Sequence, residues 1–331
     1  MLMKYLLPKC SSFLCNQGKS FASPWRYTVR RYGPPGSSSS ESITEIPEDK
    51  WHKEKYSCNP AIDKPHSPFN IITRSAVHRK YHPFSFTSYD KKVKMEMSNN
   101  GTHVIIDIPG KELHYSGGGV RDTYTANHIH FHHGRSKIFG SEHFIDSKCY
   151  PVEMHIVHNN KNYPNLATAE GKPLGISVLA FMFEKTVASN DVLDPIINAL
   201  KEIKKPMTTV PIELPSLLSI LPPDVANAIY YQYTDMEGVI PHITWTVFKE
   251  RILMSEDQLA EFHKLQASEV HPLTEEPLRL GDNNRSPRVD QKLIVFTNEA
   301  DPSEESAEDE EKGKSFRGKL SKAFKGITGK K

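Results

Sequence analysis

The sequence predicts a single β-dominated domain with few helices. The prediction rests on six segments with the alternation or apolar density of strands and on helical periodicity confined to two short stretches. It rests also on a length of 331 residues without an internal repeat.

In chain order the strand segments are His103 to Ile108, Asn127 to His133, Val152 to His158, Ile176 to Glu184, His242 to Lys249 and Leu293 to Phe296. The clearer helix covers Glu256 to Leu265. Ser255 offers its N-cap hydroxyl, Gln258 closes a capping box, and Met254 and Leu259 stand at the spacing of a hydrophobic staple. A second helix covers Val192 to Ile203 behind the cap candidates Asn190 and Asp191, with Ile196, Ile197, Leu200 and Ile203 as its buried stripe.

Composition bounds the folded part to residues 51–298. Residues 1–50 hold a basic leader, with Lys4, Lys9, Lys19, Arg26, Arg30 and Arg31 and no acidic residue before Glu41. Gly33-Pro34-Pro35-Gly36 and four serines then read as a linker. The leader resembles a mitochondrial transit peptide, with cytoplasmic and secreted addresses left open; the sequon Asn100-Gly101-Thr102 hints at secretion. Residues 299–331 turn acidic, Glu299 to Glu311, then basic, Lys312 to Lys331, and are expected to be disordered. Phe316, Leu320, Phe324 and Ile327 recur at helical spacing in the basic block. The block either meets an anionic surface or partner, or folds back on the acidic run, as its four glycines favour.

With 42 Lys+Arg against 40 Asp+Glu, the chain has no overall charge bias to recruit nucleic acid. No window reaches the ~18 to 20 apolar residues of a membrane span. Cys10 and Cys15 lie in the leader, while Cys58 and Cys149 are far apart and lack CxxC spacing, so a disulfide is neither required nor barred.

The chemistry-bearing pattern is a histidine constellation. Residues two apart on a strand share a face, so His128, His130 and His132 point one way and Ile129 and Phe131 the other. On the second strand Glu153, His155 and Val157 share a face. Two imidazoles from one strand and one from its neighbour can converge on a point. A zinc ion held by three histidines keeps an open position where bound water becomes a nucleophile near neutral pH. The bland reading is a histidine-rich strand whose rings hydrogen-bond at the surface. Three imidazoles alternating with large apolar residues argue against it.

From Trp51 to Phe296 the chain resembles an α-class carbonic anhydrase. The resemblance is carried by His66-Ser67-Pro68, Asn99-Asn100-Gly101, Ile129-His130-Phe131-His132-His133-Gly134, Gly140-Ser141-Glu142-His143, Val152-Glu153-Met154-His155-Ile156-Val157-His158, Thr244-Trp245-Thr246-Val247-Phe248 and Asp282-Asn283-Asn284-Arg285. It implies an α/β, β-dominated single domain with a large twisted, mostly antiparallel sheet and short flanking helices. It implies Zn2+ on His130, His132 and His155, with Glu153 orienting His155, His128 in place of the usual glutamine beside the first ligand, and Asn283 steadying the remaining ligand through its carbonyl. Val157, Val178 and Trp245 match an apolar wall for carbon dioxide.

Glu142 matches the buried glutamate that receives a proton from the family's threonine. The threonine loop itself is altered to Gln232-Tyr233-Thr234-Asp235-Met236-Glu237-Gly238, which puts either Asp235 or Thr234 at the threonine position. Thr102 stands where fast members carry a proton-shuttle histidine, and His103, next along, is expected to face the opposite side, so no shuttle is clear. The resemblance implies reversible hydration of carbon dioxide to bicarbonate by a zinc-bound hydroxide, slower than in fast members and dependent on buffer. The alternative is a catalytically weak carbonic anhydrase-related binding protein. A metalloprotease is disfavoured because no His-Glu-x-x-His helix is present.

Overall fold

The computed structural model describes residues 67–237, 240–270, 277–285, 287 and 293–301. The leader, the linker and residues 302–331 of the charged tail lie outside them. Eight strands frame the site: β1 (Val93–Asn99), β2 (Val104–Asp107), β3 (Tyr124–His133), β4 (Val152–Asn160), β5 (Ile176–Thr186), β6 (Thr208–Leu214), β7 (Tyr230–Glu237) and β8 (Ile240–Phe248). They hydrogen-bond in the order β6-β1-β2-β3-β4-β5-β8-β7. All pairs are antiparallel except β5–β8, which is parallel. The expected β-dominated, mostly antiparallel sheet is present, with short helices beside it.

The two faces of this sheet do different work. Ile129 and Phe131 of β3, Met154 and Ile156 of β4, and Leu179 and Phe181 of β5 are fully buried on one face. Burying each such side chain contributes about 1.5–3 kcal/mol. Helix α1 (Asp194–Glu202) brings Ile196, Ile197 and Leu200 to that core, and α2 (Glu256–Phe262) brings Leu259 and Phe262. The Phe262 ring packs tilted against Phe131, ring centroids 5.5 Å apart. The opposite face carries the histidines.

The predicted capping box at α2 forms. Ser255 Oγ accepts from Gln258 N at 3.2 Å, and Gln258 Oε1 accepts from Ser255 N at 3.0 Å. Helix α1 starts two residues later than the pattern suggests, because a 3-10 turn, Asp191–Leu193, precedes it and Pro195 sits in its first turn, where a missing N–H costs nothing. Leu293 to Phe296 shrinks to a strand of two residues, Phe296–Thr297.

Three of these eight strands lie outside the predicted segments. β1 alternates buried and exposed residues, and β6 pairs with it along its whole length. β7 occupies the segment expected to be an altered loop, and pairs residue for residue with β8 from Tyr230–Phe248 to Asp235–Ile243.

A β-bulge at Asn127 sets the position of the histidines. Ala126 pairs with His158 and His128 with Val157, so one extra residue in β3 reverses the side-chain parity. Tyr124 and Ala126 therefore belong to the core, while His128, His130 and His132 turn to the other face, opposite Val157, His155 and Glu153.

Candidate metal centre

His130 and His132 come from β3 and His155 from β4, where His130 pairs directly with His155. One donor nitrogen from each of the three rings lies within 4.8 Å of the others. His155 Nδ1 and His130 Nε2 are 3.2 Å apart. A tetrahedral ion with zinc–nitrogen bonds of about 2.0–2.1 Å sets its ligand atoms roughly 3.3 Å apart, so this spacing suits it.

The outer nitrogens fix the tautomers. His132 Nδ1 donates to the backbone carbonyl of Asn283 at 3.1 Å, which leaves His132 Nε2 with its lone pair toward the cluster; that nitrogen is buried and has no hydrogen-bond partner. His155 Nε2 donates to Glu153 Oε1 at 2.6 Å, which leaves Nδ1 facing His130. Burial pushes His132 down to about 3 and holds His130 well below the usual imidazole value, so both are neutral donors at physiological pH. An orphaned buried nitrogen beside two ring nitrogens 3.2 Å apart fits a bound cation.

Glu153 is a hub. Its Oε1 meets His143 Nδ1 and His155 Nε2, each at 2.6 Å, and its Oε2 accepts the backbone N–H groups of Glu142 and His143 at 2.7 and 2.8 Å. Burial alone would raise this carboxyl, but His143 and His155 beside it hold it well below the usual carboxylate range. The network continues from His143 Nε2 to the Tyr233 hydroxyl at 2.6 Å, then to Ser67 Oγ at 2.8 Å, and from Ser67 to the Asp235 carboxylate. Sequence reasoning quoted Ser67 and His143 inside motifs but gave them no task, and their long-range partners could not be read from spacing.

Register sets where Thr234 and Asp235 point. Tyr233 pairs with Trp245 and Asp235 with Ile243, so Asp235 lies on the face of Tyr233 and Trp245, and Trp245 Nε1 donates to Asp235 Oδ2 at 3.1 Å. Thr234 points the other way, its hydroxyl 3.5 Å from that of Thr244. The expected Glu142–Thr234 pair is therefore not made, and Asp235 does not face Glu142 as a second carboxylate. Arg285 takes Glu142 instead: its Nε and Nη2 donate to the two carboxylate oxygens at 2.8 and 2.9 Å, and its backbone N–H adds a third bond at 3.0 Å. Burial by itself would raise the Glu142 carboxyl, and the guanidinium reverses this and keeps it ionised. Sequence reasoning gave Arg285 no role; as a bare arginine closing a motif it carried no signal of its partner.

Two further expectations change. His128 does not hydrogen-bond His130; its Nδ1 meets Asn127 Oδ1 at 3.2 Å, and its ring stacks on His130 with centroids 5.4 Å apart. The bulge places Asn127 beside it, which supplies a nearer partner. His103 does not face away from the site. Residues 100–103 form a turn closed by Asn100 N to His103 O, and Ile105, two residues on, pairs with His130, so His103 shares the histidine face. Its ring lies edge-on to His132 at 5.3 Å, while Thr102 is exposed.

Val157, Val178 and Trp245 stand in one row across β4, β5 and β8 and are nearly inaccessible. The Trp245 ring lies 5.0 Å from that of His155. Asn283 also ties its own segment to β3, its Oδ1 accepting from His133 N at 2.8 Å and its Nδ2 donating to Phe131 O at 3.0 Å.

Residues 47–299 match the model of the eukaryotic-type carbonic anhydrases. The chain is 32% identical over 223 residues to carbonic anhydrase 4 of Rattus norvegicus, covering 66% of this chain and 71% of the relative. It is 31% identical over 241 residues to carbonic anhydrase 4 of Oryctolagus cuniculus, covering 72% and 75%. It is 30% identical over 220 residues to carbonic anhydrase 6 of Mus musculus, covering 65% and 68%.

Proposed function

The chain belongs to the eukaryotic-type carbonic anhydrase family, and from that membership we propose that it hydrates carbon dioxide reversibly to bicarbonate at a zinc ion held by His130, His132 and His155, more slowly than members that keep the threonine. The observation that carries this reading is the set of three convergent imidazole nitrogens, one orphaned and two facing each other at 3.2 Å. A zinc ion there supplies Lewis-acid activation of water near neutral pH.

The chain's own residues do the rest. Glu153 and the Asn283 carbonyl hold two of the rings in the tautomer that binds metal. Val157, Val178 and Trp245 form an apolar row beside His155 that suits an uncharged substrate. Asp235 fixes the indole of Trp245 through its Nε1. Glu142 is held by Arg285, and among the described residues no threonine hydroxyl joins it, which is the reason for the lower rate. The same contact favours a second reading, a zinc-holding protein of this family with little turnover.

Zinc content of the full chain, followed by stopped-flow hydration in a weak buffer, separates the two. Stoichiometric zinc with turnover above the buffer rate supports the enzyme. Stoichiometric zinc with none supports the second reading.

A further inference from the structure

Two Asn-x-Ser/Thr tripeptides occur in the sequence, Asn100-Gly101-Thr102 and Asn284-Arg285-Ser286. Each is an acceptor pattern for N-linked glycosylation, which adds a bulky polar sugar that a folded chain tolerates only at its surface. The fold treats the two asparagines differently. Asn284 is 5% exposed, and its Nδ2 donates to the Ser141 carbonyl at 3.1 Å. A sugar on that nitrogen would break a buried hydrogen bond and find no room.

Asn100 stands in the turn that joins β1 to β2, next to the exposed Thr102. Its Oδ1 accepts from Thr102 N and Thr102 Oγ1, each at 3.0 Å, and from His103 N at 2.8 Å. This is an Asx turn, in which the side-chain oxygen is drawn into the turn. The Nδ2 on the other arm of the planar amide makes no hydrogen bond among the described residues. Everything the side chain does for the turn is therefore done by its oxygen, which a glycosylated amide keeps.

The turn is also held independently of that nitrogen. Gly101 N donates to Asn99 Oδ1 at 2.8 Å, Ser268 N donates to the Gly101 carbonyl at 3.1 Å, and Asn283 Nδ2 donates to the Thr102 carbonyl at 3.2 Å. Gly101 takes a φ of +87°, which a glycine adopts without strain. A substituent on Asn100 Nδ2 disturbs none of these contacts.

We propose that Asn100 is an N-glycosylation site and that the chain accordingly passes through a secretory lumen, one of the addresses its leader leaves open. The donor is an oligosaccharide carried on a lipid pyrophosphate. Asn100 Nδ2 attacks the first sugar carbon, the bond from that carbon to the pyrophosphate oxygen breaks, and the lipid pyrophosphate leaves with the electron pair. The amide gives up one proton to a base of the transferase. The glycan then stands on the turn that leads into His103, whose ring lies edge-on to His132, and so flanks the candidate metal centre. Neither zinc nor hydration enters the argument.

The full chain is produced in cultured animal cells and its electrophoretic mobility compared before and after treatment with a peptide N-glycosidase. A shift is expected, and the conversion of the linked asparagine to aspartate marks Asn100 in peptide mass spectra. Asn100→Asp keeps the oxygen that closes the turn and removes the acceptor nitrogen, so it should lose the shift. Thr102→Val should lose it as well, while Thr102→Ser, which keeps the hydroxyl, should retain it. Unfolding midpoints show that the variants fold. A chain with no shift, whether it enters the lumen or never does, overturns the proposal. So does a shift that survives Asn100→Asp or maps to Asn284. Failure of the hydration reading shows in stopped flow and leaves the glycosidase result as it stands.

Discussion

Glu153 and His155 stand two residues apart on β4, and that spacing alone brings His155 Nε2 to 2.6 Å from Glu153 Oε1. Because a strand repeats every two residues, the orienting carboxylate and the ring it orients share a face without any help from the rest of the fold.

Glu153→Gln is expected to weaken zinc binding by roughly 10–100-fold, since an amide orients and polarises the ring less than a carboxylate. Competition against a chromophoric chelator reads this directly. An affinity within twofold of the unaltered chain would show that Glu153 serves only the backbone N–H groups of Glu142 and His143.

Removing metal is expected to lower the thermal midpoint. His130 Nε2, His132 Nε2 and His155 Nδ1 are brought together in the folded state, so a bound ion favours that state by about 2.7 kcal/mol at a hundred times its dissociation constant. Scanning calorimetry with and without a chelator, then with zinc restored, should give a reversible shift. Identical midpoints would refute the site.

Thr234→Ala is expected to cost less than about 1 kcal/mol and to leave hydration within twofold, because the Thr234 hydroxyl only approaches Thr244 on the far face. Asp235→Ala leaves Trp245 Nε1 without its acceptor, costing about 1–3 kcal/mol, and should slow hydration by loosening the wall. Urea unfolding and stopped-flow rates on both variants test the order. A slower Thr234→Ala beside a normal Asp235→Ala would reverse the register assigned to β7.

His103 sits beside the ligands, yet burial pushes it down to about 4. A relay that accepts a proton near pH 7 needs a value close to 7. Hydration is accordingly expected to stay buffer-dependent, with His103→Ala lowering the rate in weak buffer by less than twofold. A tenfold loss, restored by added imidazole, would make His103 a working relay.

His158 supplies a pH dependence remote from the metal. Burial lowers it to about 3, against about 6.5 for an unfolded histidine, and its Nε2 lies 2.5 Å from the Tyr89 hydroxyl. Between those values the unfolded chain binds a proton that the native chain does not. Stability is therefore full above pH 6.5 and falls on acidification through that window, by up to about 1.4 kcal/mol per pH unit from this group. Urea unfolding at pH 7 and pH 5 should show a smaller loss for His158→Asn than for the unaltered chain; equal losses would remove His158 from the account.

Local pattern carried a large part of this. The convergence of His130, His132 and His155, the Glu153–His155 pair, the Ser255–Gln258 cap and the strands β3, β4, β5 and β8 all depend on contacts within a few residues or on a period of two, and a linear reading captures both. The side His103 takes follows from Ile105, whose partner is His130, and not from alternation with Thr102, which lies in the turn before the strand.

What the tertiary structure alone decided is who meets whom across long stretches of chain. Strand pairing made β7 a neighbour of β8 and so turned Asp235, not Thr234, toward Trp245. A bulge reversed the parity of β3, and a segment more than a hundred residues away delivered Arg285 to Glu142 and the Asn283 carbonyl to His132. A side chain's type fixes which bonds it can form, but only the register of distant strands fixes the partner within reach. Residue chemistry could therefore single out three histidines as candidate metal ligands from the sequence and could not say what Glu142 holds.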